Sequence, residues 1–348
     1  MPQAVTRARH AVAAASSRKT RGLTAQTAKH RYGMTVASCT TMNKRDKLEG
    51  SVVVLTGASS GIGRAAALMF ASRRAKLVLA ARDKAALDLV VRACEQRGTE
   101  AIAVATDVRD EASVEALRDE AVQRFGHIDV WINDAAVYMM GPIEATPVEA
   151  VRDLLATNVM GVLQGARAAL VQFRAQGYGT LINMGSVAGK VTYAQAGAYC
   201  ASKHAVHAIH ECLRQELQGS GIDVCLVVPA AVDTPLFQHA ANYSGREIVA
   251  MRPLYSPERV ASAILSCAER PRREVMVGLG PRLITMFDRL VPWLYERMQP
   301  RFVSRNDLGR GGVPADPGNF IESIPPHAVH GGWTERRALK ERQEALRA

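Results

Sequence analysis

From Ser51 onward, short β-branched runs alternate with amphipathic stretches, and that alternation restricts the chain to very few folds. Strand-like runs fall at Val52–Leu55, Leu77–Ala80, Ala101–Val104, Ile128–Ile132, Thr180–Asn183, Asp223–Val228 and Glu274–Val277. Between them the spacing predicts helices over 62–74, 84–97, 111–125, 147–176, 197–218 and 257–270. Apolar strands without internal polar alternation, separated by amphipathic helices, imply a parallel sheet covered on both faces. Seven such strands predict a doubly wound α/β domain over residues 48–280, with ligands at the carboxyl ends of the strands. After Gly280 the alternation stops. Leu283, Ile284, Phe287, Leu290, Val291 and Leu294 at helical spacing predict one helix over 282–298, and from Arg301 a Gly/Pro-rich, then charged, stretch predicts an extended tail.

The net charge of +11 raises the question of a polyanionic partner, and its distribution answers it. Residues 1–45 contain no Asp or Glu but nine Lys and Arg, so the remainder of the chain carries only about +2. The basicity belongs to a leader, residues 1–47, and no nucleic-acid footprint is expected. That leader is rich in Ala, Ser, Thr and Arg, which fits an organellar transit peptide, a disordered leader, or an over-extended start with Met34 and Met42 as later starts. The six cysteines show no CxxC pairing, and most lie in apolar surroundings. Buried free thiols and a reducing, cytoplasmic compartment are therefore expected, with organellar import if the leader is a true transit peptide. No run of about 18 apolar residues is found, so no membrane span is expected.

Two motifs carry chemistry. Thr56-Gly-Ala-Ser-Ser-Gly-Ile-Gly63 lies between an apolar strand and a helix, where glycines let backbone N–H groups approach a pyrophosphate. Tyr199-Cys-Ala-Ser-Lys203 sets a phenol and an ammonium one helical turn apart on the same face. At the end of the second strand, Arg82 offers charge-assisted bonds to a ribose 2′-phosphate, and Asp83 beside it is an N-cap or a competitor for the ribose. His204, His207 and His210 follow Lys203 at three-residue spacing, but they drift around the helix and no further ligand completes a set, so no metal is expected.

Over residues 48–280 the chain resembles the short-chain dehydrogenase/reductase family, whose turn is TGxxxGxG and whose catalytic pair is YxxxK. The resemblance implies a Rossmann-type fold and places Gly57, Ser59, Ser60, Gly61, Ile62 and Gly63 against the cofactor. It implies further cofactor contacts from Asp107 and Val108, from Asn133 and Ala135 in Asn133-Asp-Ala-Ala136, and from Pro229, Val232 and Thr234. The family commonly shows Asn-Asn-Ala-Gly at 133–136, so Asp134 and Ala136 depart from it, as does Ala230 where a Gly is usual. By the same resemblance Tyr199 is the acid/base and Lys203 its partner and a ribose contact, Ser186 holds the substrate oxygen, and Asn158 helps carry a water-linked proton path to the Lys. Lys203 and an oxidised nicotinamide would both favour the phenolate.

The expected activity is an NADP-dependent interconversion of a secondary alcohol and a ketone or aldehyde. NAD-preferring alcohol oxidation is the alternative within the class, and a non-catalytic nucleotide-binding interaction protein is the alternative outside it. All four catalytic positions are kept, which favours an enzyme. Leu236, Phe237, Tyr243, Ile248, Met251, Leu254 and Tyr255 in the 235–256 loop, with Tyr138, Met139, Met140 and Tyr193, imply an apolar small-molecule substrate. The family implies a homo-dimer or homo-tetramer, with the helix that carries Lys203 supplying an interface.

Overall fold

The computed structural model describes residues 48–335. The β-branched runs and the helices between them form β1 (Val52–Thr56), α1 (Gly61–Ala71), β2 (Lys76–Ala81), α2 (Lys84–Glu95), β3 (Ala101–Ala105), α3 (Glu111–Phe125) and β4 (Val130–Asn133). A short strand β5 (Met139–Met140) leads to α4 (Val148–Leu155), a π turn at Ala156–Met160 and α5 (Gly161–Gln176). Then come β6 (Gly179–Met184), α6 (Gly197–Glu216), β7 (Ile222–Val228), β8 (Ala241–Asn242), β9 (Arg246–Ile248), α7 (Pro257–Glu269) and β10 (Glu274–Met276). Beyond the alternating region lie α8 (Gly280–Leu290), α9 (Pro292–Asn306) and β11 (Leu308–Gly311).

The sheet has seven strands in the order β10-β7-β6-β4-β1-β2-β3, all parallel. β1 is flanked by β2 and β4, so the strand order reverses there and a crevice opens at the carboxyl ends. Both faces are covered, as the near-continuous apolar strands require. Phe70, Leu87 and Ile264 pack one face with α1, α2 and α7, while Leu117, Trp131 and Phe173 pack the other with α3 and α5. Side-chain caps fix where helices begin: Asp83 accepts from the Ala86 N–H at 3.0 Å and Asp110 from the Ala112 N–H at 3.2 Å.

Three expectations are corrected. The 147–176 helix is interrupted by the π turn, on which the buried Asn158 lies, within bonding distance of Val137 and Ser202. The 282–298 helix is two helices, because Pro292 forces Val291 out of the helical region (φ −138°, ψ 59°) and starts α9 anew. The tail is not simply extended from Arg301: α9 continues to Asn306, β11 pairs antiparallel with β9, and residues 319–334 bond to the ends of the central strands. The basic leader lies outside the described residues. Among those described, Cys94, Cys200, Cys225 and Cys267 are buried free thiols and Cys212 is exposed. One helical stretch among the described residues, Val148–Gln176, is long and apolar enough by length and composition to cross a membrane. Its apolar side is spent on the core through Leu154, Val162, Ala169 and Phe173.

Thr56 ties the crevice together. Its hydroxyl donates to the Ile132 carbonyl (3.2 Å) and accepts from the Asp134 (3.1 Å) and Ala135 (3.3 Å) N–H groups. Thr56→Val keeps the shape and leaves these backbone groups unpaired, which costs about 1–3 kcal/mol. A thermal melt should show Tm lower by several degrees; an unchanged Tm would mean that water or a shifted backbone replaces the hydroxyl.

Candidate active site

The turn after β1 is built for close approach. Gly57 has φ +73°, and a Cβ on it would stand 2.8 Å from the Ala135 nitrogen. Gly61 has φ +52°, and a Cβ there would press to 3.2 Å from the Thr234 side chain. A Cβ on Gly63 would collide with the Gly57 carbonyl. α1 therefore starts directly over the strand ends, and its N-terminal turn lines a large cleft that opens to solvent. A side-chain-free turn at a helix N-terminus is where a pyrophosphate fits. The residues present suit a dinucleotide.

At one end of the cleft, Arg82 and Arg109 come together. Arg109 bonds the Asp107 carboxylate at 2.6 Å and 3.0 Å. Burial is the largest influence on Asp107 and pushes its pKa up, but the bonds and charge of Arg109 outweigh it and hold the carboxyl below its ordinary value. Arg82 has a different environment. Its guanidinium donates to the carbonyls of Asn319 (2.7 Å), Phe320 (3.0 Å) and Ile321 (3.1 Å), and Phe320 also accepts from Arg109 at 3.0 Å. Burial, and then the charge of Arg109, lower the Arg82 pKa against the opposing pull of Asp107. Asp83 caps α2 and meets the His327 ring at 3.0 Å.

At the other end, α6 presents Tyr199 and Lys203 on one face, with the ammonium 6.0 Å from the Tyr199 ring centroid. Lys203 Nζ donates to the Met184 carbonyl at 3.2 Å, at the end of β6. Burial lowers the Lys203 pKa to about 8, opposed by the charge of Asp134. Burial raises the Tyr199 phenol to about 12, and the hydrogen bond from Ser186 only partly offsets this. Among the protein's own groups, burial wins over the expected stabilisation of the phenolate. The Ser186 hydroxyl accepts from the Ala188 N–H at 3.1 Å, which fixes it at the mouth of the turn after β6.

The structure brings most of the expected residues to one cleft: Gly57, Ser59, Ser60, Gly61 and Ile62 from the turn; Arg82, Asp107, Val108 and Ala135 along the wall; and Ser186, Tyr199, Lys203, Pro229, Val232 and Thr234 across from them. Gly63, Asn133 and Asn158 do not line it. Gly63 serves packing. Asn133 is held in the core, donating to the Val162 carbonyl (3.2 Å) and Asn183 Oδ1 (2.9 Å) and accepting from the Trp131 indole (2.8 Å). Asn158 brackets Val137 through both its backbone groups and donates to Ser202, the neighbour of Lys203. Of the expected substrate residues, Tyr138, Tyr193, Leu236, Phe237 and Met251 line the cleft. Ala230 lines it without a positive φ, so the absence of Gly there is accommodated.

Sequence reasoning missed several lining groups. Asp134, noted only as a departure from the family pattern, is half-buried, and desolvation raises its carboxyl to about 7 against the pull of Lys203 and the Gly63 N–H. Arg109, two residues beyond Asp107, was legible as a candidate from that spacing. Asn319, Ser323, Ile324 and His327 had no periodicity or motif to mark them.

Comparison with known proteins agrees with this architecture. Residues 51–243 match the short chain dehydrogenase family. The chain is 36% identical to the uncharacterized oxidoreductase YxnA of Bacillus subtilis over 264 residues, which are 75% of this chain and 74% of that protein. Among solved structures, a short chain dehydrogenase/reductase from Burkholderia phymatum in complex with NAD superposes with a TM-score of 0.65 at 28% identity, covering 72% of this chain and 96% of that one. An alcohol dehydrogenase from the archaeon Thermococcus sibiricus, complexed with 5-hydroxy-NADP, gives 0.58 at 26% identity over 66% of this chain and 96% of its own. The chain belongs to the short-chain dehydrogenase/reductase family. It is a nicotinamide-dependent oxidoreductase of that family.

Beneath the Ser186 turn, the His207 ring fills the space left by Gly185 and Gly189, whose Cβ positions would lie within 2.7 Å of it. Burial, then the charges of Lys190 and Lys203, lower His207 to about 3; burial, then Arg214, lowers His210 to about 4. Both are neutral when folded, and in the unfolded chain they take up protons below about 6.5. The unfolded state thus binds more protons between about pH 3 and 6.5, so stability falls as pH drops through that window. Each group contributes a slope of up to about 1.4 kcal/mol per pH unit. Denaturant melts from pH 7 to 4.5 should show this loss, and His210→Gln should reduce the slope by about one proton. An unchanged slope would mean that His210 is already charged in the fold.

Proposed function

We propose that this enzyme interconverts a secondary alcohol and a ketone or aldehyde of an apolar small molecule, using NADP(H), with Tyr199 as the acid/base. The observation that carries the reading is the convergence of Ser186, Tyr199 and Lys203 at the far end of the same cleft that begins at the Gly57–Ile62 turn. A bound nicotinamide supplies hydride in one direction and accepts it in the other. Ser186 holds the substrate oxygen by a hydrogen bond as charge develops there. A carbonyl receiving hydride becomes an alkoxide, and the Tyr199 phenol, neutral because burial holds its pKa near 12, carries the proton that the alkoxide takes. Lys203, cationic below about pH 8, stabilises the phenolate left behind. In the reverse direction the phenolate accepts the alcohol proton. Asn158 acts as a positioning residue, fixing Val137 against Ser202. Tyr138, Phe237 and Tyr199 form an edge-to-face aromatic cluster beside the reacting groups, which suits an apolar substrate.

The NADP preference rests on charge. Arg109 is neutralised by Asp107, whereas the hydrogen bonds of Arg82 go to neutral carbonyls. Among the described residues no carboxylate forms an ion pair with Arg82. A cation so placed at the end of β2 favours a ligand that brings negative charge, and a ribose 2′-phosphate brings about −1.5 to −2.

Tyr199→Phe keeps the ring packing and removes the proton. Turnover measured by NADPH absorbance should fall by about 10²–10⁴-fold, with the cofactor Kd near its starting value. Wild-type turnover in that variant would refute the acid/base role. For the cofactor, a lost charge-assisted bond is worth about 1.5–3 kcal/mol, or about one to two decades. Arg82→Ala should lower the ratio of kcat/KM for NADPH over NADH by that amount, and Arg82→Asp should reverse the preference. A ratio that does not move would place the discrimination elsewhere, Arg109 being the next cation along the wall.

A further inference from the structure

The segment from Asn319 to Thr334 lies beyond the part of the chain that matches the family, yet it runs the length of the cleft and is fastened at both ends. At the Arg82 end, its carbonyls at 319, 320 and 321 take up the guanidinium, and the Phe320 ring is buried in the same apolar cluster as Tyr138 and Tyr199. At mid-length, the His327 ring meets Asp83, the His327 carbonyl accepts from Arg64, and the Ala328 carbonyl accepts the Gly61 N–H at 2.9 Å. At the far end, Asp233 binds the Trp333 N–H (3.0 Å) and the Thr334 hydroxyl (3.1 Å), one with each carboxylate oxygen. The Trp333 indole donates to the Thr234 carbonyl at 3.1 Å. Between these fastenings Ser323, Ile324 and His327 face the cleft.

Backbone carbonyls of an irregular surface segment are satisfied by water at no cost in chain order. Here they are spent instead on Arg82, Arg109, Arg64 and Gly61, the groups that bound the proposed phosphate and ribose positions. We propose that residues 319–334 form a strap that completes the cofactor site, with Ser323, Ile324 and His327 as contacts to the adenosine half of a nicotinamide dinucleotide, and that the strap lifts for the cofactor to exchange. The proposal rests on the cofactor reading of the cleft. Its physical content is linkage: a dinucleotide that touches the strap stabilises the closed form, and a loosened strap releases the dinucleotide faster. The strap is held by polar bonds and one buried ring rather than by a helix or a sheet, which places its opening at the low end of the molecule's local stabilities.

The test uses the full chain and NADPH. A Cβ on Gly331 would collide with the Thr234 carbonyl and the Trp333 ring, so Gly331→Val pushes the strap off without touching the catalytic groups. Asp233→Asn weakens the same fastening from the domain side. In hydrogen exchange followed by mass spectrometry, peptides spanning 319–334 should exchange several-fold more slowly when NADPH is added to the wild type, and faster in both variants. Stopped-flow fluorescence should show NADPH leaving each variant about tenfold faster, as expected for loss of one or two such bonds. Exchange of 319–334 indifferent to NADPH overturns the proposal, as does a wild-type release rate from Gly331→Val whose strap peptides exchange freely. If the wild type binds neither NADPH nor NADH, the cofactor reading of the cleft fails and the strap proposal with it. If both bind and the strap is indifferent, the strap proposal alone fails.

Discussion

The missing side chains at Gly57 and Gly63 set the spacing on which the site depends. A Cβ at Gly57 would stand 2.8 Å from the backbone of Ala135, and one at Gly63 would meet the Gly57 carbonyl and lie 2.8 Å from the Asp134 carboxylate. Three pieces of chain therefore touch at backbone distance: the turn after β1, the first turn of α1, and the loop after β4. Thr56 locks the contact by satisfying two N–H groups of that loop. The strand order reverses at this point, so the interlock also fixes where the crevice opens. Widening it by one methyl group would shift α1 relative to Thr234, and with it the distance between the proposed phosphate cradle and the catalytic helix.

Burial governs the electrostatics of the end of the cleft formed by α6. Tyr199 and Lys203 are buried and Asp134 is half-buried, and desolvation favours the neutral form of each: the phenol and the carboxyl rise, the ammonium falls. The mutual attraction of Lys203 and Asp134 works against burial at both. Desolvation and the attraction between the two charges thus oppose each other at Asp134 and at Lys203. The family pattern commonly shows a neutral Asn where Asp134 stands, so this chain carries a carboxyl at that position instead.

Much of the framework was legible because it follows from periodicity and covalent chemistry. The seven strands fall within two residues of their expected limits, since apolar runs bounded by turn residues leave little freedom. The Gly-rich turn and the Tyr199/Lys203 pair were legible because spacing alone determines which face a helical residue occupies. What failed depended on contacts. The break at Val291–Pro292 was concealed by apolar spacing that continues across it, although the proline marked the place. Asn133 looked like a wall residue, but its amide is spent on Trp131, Val162 and Asn183 in the core. Residues 319–334 use backbone carbonyls for most of their bonds, and every residue type has a carbonyl.

That last point bears on how the two halves of the cleft divide their work. Ser186 follows the end of β6, and Tyr199 and Lys203 sit on α6, elements held by the sheet and by buried packing, so the geometry around the proposed reacting groups is rigid. The Arg82 end, proposed to hold the adenosine half, is walled on one side by strand ends and on the other by an irregular segment attached through Arg82, Arg109 and Asp83. Local opening of such a segment breaks a few polar bonds and leaves the sheet untouched, whereas moving Tyr199 would require α6 to leave the core. The physical asymmetry permits precise positioning at the chemical end and exchange at the other. Because Arg82 belongs to both the cleft and the segment, a ligand seated against its guanidinium while the carbonyls at 319–321 stay bonded also holds the wall closed. In this proposal, recognition of the ribose and closure of the wall are coupled through a single side chain.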